Sequence, residues 1–133
     1  MWNFCMPIET AILEEFETHF DFHINPPLRD FILAHNGGKT HCCVLQTSVR
    51  ERRIESILDF SNKEATWGAN KRMRHLLGNR IIVIGMDKSG NFLCVRRTLR
   101  NQEFVIWNHV TNSLEECTME IPLILMRWQS EHC

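Results

Sequence analysis

Ile81-Ile82-Val83-Ile84-Gly85-Met86, then Asp87-Lys88-Ser89-Gly90-Asn91, then Phe92-Leu93-Cys94-Val95 and, after a polar interval, Phe104-Val105-Ile106-Trp107 make up the stretch from which the fold follows. Links this short cannot hold the crossover that joins parallel strands, which needs about a dozen residues or more, whereas a Gly/Asn turn with positive φ closes a hairpin. The stretch therefore predicts a three-stranded antiparallel meander.

Upstream, Ile8, Ile12, Phe16 and Phe20 recur every four residues with Leu13 beside them, while Glu9, Glu14, Glu15 and Glu17 face elsewhere. This spacing predicts an amphipathic helix over residues 8–21 with an acidic outer face, opened by Pro7, which has no N–H to leave unpaired there. Pro26-Pro27 opens a shorter helix over residues 27–35, with Leu28, Phe31 and Ile32 on one face. Asn36-Gly37-Gly38 ends it with residues that tolerate left-handed backbone. Residues 41–47 and 54–60 read as strands, with the basic Arg50, Arg52 and Arg53 between them. Ser61 and Glu64 have the spacing of a capping box, and Ala65, Ala69, Met73, Leu76 and Leu77 continue a helical stripe to Gly78. Gly68 weakens that stripe by about 1 kcal/mol relative to Ala, which favours a helix starting after it. Beyond the meander, residues 114–118 suit an edge strand, and Pro122 starts a piece over 123–128 that is a short helix or an extended tail. Without repeats, low-complexity tracts or linkers, a single α+β domain over residues 1–133 is expected.

A chain of 133 residues buries about two-thirds of its unfolded surface and carries its own core. A hydrophobic fraction of 44% and a charged fraction of 23% are ordinary globular values. The formal net charge of -1 excludes a whole-molecule field that would draw in nucleic acid or an anionic membrane. No apolar run approaches the roughly 20 residues of a bilayer span, and Met1-Trp2-Asn3-Phe4 lacks the start of a secretory signal, so a cytoplasmic protein is expected. Cys5, Cys42, Cys43, Cys94, Cys117 and Cys133 are scattered, with one pair adjacent, and are expected to be reduced.

Chemistry-bearing constellations are scarce. His41-Cys42-Cys43 clusters soft ligands, yet adjacent strand residues point to opposite faces and no Cys-x-x-Cys or His-x-x-x-His spacing supports a metal, so no metal and no cofactor is expected. Cys43 and Cys94 lie in apolar strand sequence, away from the cationic neighbours that would activate a thiol toward His41 or His109. Ser89 lacks the Gly-x-Ser-x-Gly elbow, and Glu14-Glu15 and Glu115-Glu116 read as solvated charge. Asn36-Gly37-Gly38 enters a strand from a helix, the reverse of a phosphate cradle. No catalytic residue is assigned, and an enzyme of unrecognised type is kept only as an alternative. Trp107 belongs to the core. Trp67, flanked by Thr66 and Gly68, and the Arg96, Arg97 and Arg100 cluster are the candidate partner-binding residues. The basic cluster of Lys71, Arg72 and Arg74 reads as a solvated face rather than a nucleic-acid site.

In order along the chain, an amphipathic first helix, the segment from Ile24 through Pro26 to Leu33 closed by Asn36-Gly37-Gly38, the turn Asp87, Gly90 and Asn91 between apolar strands, and Val105-Ile106-Trp107-Asn108-His109 resemble the pattern of the SUKH superfamily. That group contains fungal cell-wall-synthesis regulators and many bacterial immunity proteins. The resemblance spans residues 8–118. Ile24-Asn25 before the proline, Asn108 in place of the usual Asp and Leu77-Gly78-Asn79 before the strand depart from the pattern.

The resemblance implies helices packed on a curved, largely antiparallel sheet and a function by binding, without catalysis or cofactor. Its motif residues Pro26, Asn36, Gly37, Gly38, Asp87, Gly90, Asn91, Trp107 and Asn108 are expected to be mainly structural. It further implies a cognate bacterial toxin, such as a nuclease, as partner, with a regulatory or scaffold module of the same superfamily as the alternative. Oligomeric state is left open.

Overall fold

The computed structural model describes residues 2–130 and contains four α-helices and an eight-stranded antiparallel sheet. In chain order the elements are β1 (Trp2–Asn3), α1 (Thr10–Phe20), α2 (Pro26–His35), β2 (Lys39–Thr40), β3 (Val44–Gln46), β4 (Glu51–Ile57), a π-helical turn (Lys63–Trp67), α3 (Gly68–Leu77), β5 (Ile81–Asp87), β6 (Phe92–Arg97), β7 (Gln102–Asn108), β8 (Ser113–Glu116) and α4 (Ile121–Ser130). The sheet runs β1-β2-β4-β5-β6-β7-β8, with β3 pairing on β4. The meander stands as the strand lengths required, Val83 opposite Cys94 and Cys94 opposite Val105.

Both faces of the meander are buried, which is why its strands read as nearly unbroken apolar runs. Ile82, Ile84, Leu93, Val95, Phe104 and Ile106 face the large core built with α1, α2 and α4. Ile81, Val83, Cys94, Val105 and Trp107 face a smaller core closed by Met73 of α3. The sheet curls toward its larger core until Thr47 and Cys117 form a single bridge across the gap, and it remains unclosed. Two irregularities bend it: the β5–β6 register shifts between Val83 and Gly85, and the β4–β5 register shifts between Ile54 and Ser56, while Gly85 itself pairs with Ile57. A Cβ there would overlap the Ser56 carbonyl, so only glycine allows the strands this close.

Several local expectations are corrected. α1 begins at Thr10 rather than at Pro7, with extended Glu9 as its N-cap. Of the expected 41–47 strand only Val44–Gln46 forms, as β3, with β2 lying ahead of it at Lys39–Thr40, and Arg52 and Arg53 belong to β4 instead of a link. Asn62, not Ser61, caps the third helix by accepting from the Ala65 N–H, and the turn before Gly68 is π-helical. Of the predicted stripe, Ala65 is exposed, Leu76 is 63% exposed, and the buried face runs through Thr66, Ala69, Asn70 and Met73. The tail is helical, as α4. Cys5, Cys94 and Cys117 are free thiols, whereas Cys42 is disulfide-bonded, against the all-reduced expectation; Cys133 lies outside the described residues.

Candidate functional site

One end of the sheet gathers the turns β3–β4, β5–β6 and β7–β8, and buried polar groups tie them together. In the β5–β6 turn, Asp87 accepts from the N–H groups of Ser89 and Asn91 and from the Asn91 side-chain amide, while Gly90 supplies the required positive φ of 83°. The Asn91 side-chain oxygen Oδ1 in turn accepts from the His109 N–H and lies 2.7 Å from His109 Nδ1, joining this turn to the end of β7. Asn108 accepts from Val110 and Thr111 and donates to Glu115.

Glu115 is 2% exposed and is the hub of that end. It lies opposite Ile106 and so points into the curl, where it meets Arg52 from the far side; Arg52 Nε donates to it at 2.8 Å, a second guanidinium N–H donates beside it, and Thr47 donates at 2.9 Å. The Arg52 hydrogen bond outweighs burial, and with Asn108 and Thr47 it holds the Glu115 carboxyl down at about 2. The expectation that Glu115-Glu116 is solvated charge is therefore corrected for Glu115. Sequence spacing offers no signal for this pair, since Arg52 and Glu115 come together only when the sheet curls.

At the other motif block, Pro26 is the first residue of α2. Asn36 is fully buried: its amide donates to the Met6 carbonyl and to Asp59, and its oxygen accepts from the Phe60 N–H. It is a bridge between the N-terminal segment and the chain after β4, and the left-handed residue of this corner is Gly37, at φ 71°. At Gly38 a Cβ would lie 2.8 Å from both Cys5 Sγ and the His35 carbonyl. Asp59, although burial raises its carboxyl, is held below the usual range by hydrogen bonds from Ser61 and Asn36.

The buried groups offer little nucleophilic chemistry. Burial pushes the Cys94 thiol up to about 12, and burial together with the charges of Glu103 and Glu115 does the same for Cys117. Among the described residues no three His, Cys, Asp or Glu side chains converge as metal ligands, and no helix is long and apolar enough to cross a membrane.

The model of the SMI1 / KNR4 family (SUKH-1) matches residues 7–120. The chain belongs to this family. No curated protein matches it. The match encloses the ordered motif blocks, and in this SUKH-1 chain those blocks are the corners and turns just described.

The candidate partner-binding residues of this SUKH-1 domain are not brought together. Trp67 is half-buried between α1 and the π-helical turn, stacked on His19 with ring centroids 4.5 Å apart and under the Lys63 ammonium at 4.9 Å; its indole nitrogen has no hydrogen-bond partner. Arg96 is occupied by Glu103 and Glu116 on neighbouring strands. Arg97 lies over the Phe22 ring and donates to the carbonyls of Asp21 and Asn79, while Arg100 is exposed in the β6–β7 turn. Two buried polar residues escaped the sequence reading. Asn70 donates to and accepts from the Val83 backbone, taking a strand's place beside β5. Glu17, expected on the outer face of α1, is 9% exposed, pairs with Arg29 and accepts from the Ile24 N–H. Buried asparagine and glutamate carry no periodic signature, so only their contacts reveal them.

Proposed function

We propose that this chain is a cytoplasmic immunity protein: a non-catalytic binding module, without cofactor, that neutralises a cognate toxin enzyme such as a nuclease. The observation that carries this reading is membership of SUKH-1 together with the internal use of the motif side chains. Asp87, Asn91 and Asn36, like the buried Glu115 outside the motif, spend their hydrogen-bonding capacity on the chain's own backbone and neighbours, which leaves the remaining surface for recognition. Inhibition then works by covering the toxin's active site or locking its conformation, through an interface of roughly 1,600 Å² anchored by a few aromatic and arginine side chains.

The test is co-expression with the toxin-like gene product encoded next to this chain's gene. Restored growth and a co-purifying complex are expected. Unrelieved toxicity across all adjacent candidates overturns the reading.

A further inference from the structure

The sequence from residue 65 to residue 86 contains Lys71, Arg72, Arg74 and Arg80 but no Asp or Glu. In the fold, the exposed side of α3 presents Lys71, Arg72, His75 and Leu76, opposite the buried stripe of Ala69, Asn70 and Met73. Arg97 extends this face: its backbone N–H donates to the Arg80 carbonyl and its guanidinium to the Asn79 carbonyl. Arg74 and Arg97 also donate to the carbonyls of Phe20 and Asp21, which neutralises the negative end of α1 where it borders the face.

The ion pairs among the described residues lie elsewhere. They engage Arg29, Arg52, Lys63, Arg96 and His23, whereas Lys71, Arg72, Arg80 and Arg97 form none. A net charge of -1 thus conceals a strip of uncompensated cations. On it Leu76 is 63% exposed, and beside it His19, Phe20, Lys71, Arg74 and His75 line an open recess.

We propose that this α3 face is the surface that docks the partner, and that the partner offers an acidic protein surface with an apolar residue at its centre. The inference rests on the binding function above and assigns its site. Cations rimming an exposed leucine fit a protein better than a nucleic acid, because phosphates gain nothing from Leu76 while a protein partner buries it as an anchor. Carboxylates of the partner pair with Lys71, Arg72 and Arg80, and one enters the recess between α1 and α3.

The test uses the full chain, a fluorescein-labelled peptide of Glu and Leu at helical spacing, a labelled duplex DNA of similar charge, and the toxin co-expression assay. The wild type is expected to bind the peptide more tightly than the DNA, and Lys71→Glu/Arg72→Glu and Leu76→Asp are each expected to weaken peptide binding about tenfold or more and abolish rescue. Glu14→Lys, on α1 beside Arg29 of α2 and away from the α3 face, is expected to change neither. Preferential DNA binding, no peptide binding by the wild type, or equal binding by the α3 variants overturns the inference. Rescue by the wild type and the α3 variants alike overturns the surface while sustaining the binding function. Failure of the wild type to rescue counts against that function, and the peptide then decides the surface alone. Should the double variant not fold, Leu76→Asp carries the comparison.

Discussion

At the curled end of the sheet Arg52, Glu115, Thr47 and Asn108 satisfy one another, and Asp87, Asn91 and His109 do the same one turn away. On the outer side of α3, by contrast, Lys71, Arg72 and Arg80 form no ion pair among the described residues and Leu76 is exposed. The later block of the family motif falls in the first region, the earlier block at the corner after α2, and neither falls on α3. A polar group committed inside the fold stabilises it and is unavailable to a partner, whereas a charge left without an internal partner costs little in stability and is available. Two kinds of polar residue therefore serve two purposes, and substitution should separate them.

The largest effect is expected at the curl. Arg52→Ala leaves the Glu115 carboxylate buried without its counter-charge and is expected to cost about 3–5 kcal/mol of unfolding free energy in urea titration, while Arg52→Met with Glu115→Leu recovers most of that loss. A loss under about 1 kcal/mol for Arg52→Ala would mean that the pair is wet and the contrast with α3 false. Gly85→Ala comes next, at about 3 kcal/mol, because the added methyl meets backbone that cannot move without parting β4 from β5. Asn91→Ala removes the bonds to Asp87 and to His109 and is expected to cost about 2 kcal/mol, with line broadening of the His109 amide in NMR spectra.

Acid sharpens the same comparison. The Glu115 carboxyl is held at about 2 in the fold against an ordinary value of 4.5, chiefly by the Arg52 hydrogen bond. Its stabilisation is complete above the unfolded value and is lost progressively as pH falls from about 4.5 toward 2. Unfolding midpoints measured through that window should fall more steeply for the wild type than for the Arg52→Met/Glu115→Leu pair; parallel curves would remove Glu115 from the account. The smallest effect belongs to the α3 face. Lys71→Glu/Arg72→Glu is expected to stay within about 0.5 kcal/mol of wild-type stability even where it abolishes binding.

The meander was legible because its signals are local. Asp87, Gly90 and Asn91 write their turn into five consecutive residues, and apolar runs on both sides of it demand a sheet buried on both faces. The π-helical turn was not legible, since Ser61 and Glu64 match a capping box as well as Asn62 fits the cap that forms. Arg52 and Arg53 were placed in a link because basic residues resemble one, although Arg52 is the internal partner of Glu115. For the candidate site, the sequence points to Arg96, Arg97 and Arg100; Glu103 and Glu116 occupy Arg96, whereas the Arg97 guanidinium donates to the carbonyls of Asp21 and Asn79 and borders the α3 face. The cluster it reads as a solvated face, at Lys71 and Arg72, forms no ion pair among the described residues and flanks the exposed Leu76.

The antiparallel meander, the first two helices and the family motif follow from residue spacing, because turns and amphipathic stripes are decided by neighbours within a few positions. Which charges are spent inside the molecule and which remain for a partner was decided only by the tertiary structure. Arg52 and Glu115 stand 63 positions apart, and the curl of the sheet is what turns two surface-like residues into a buried pair.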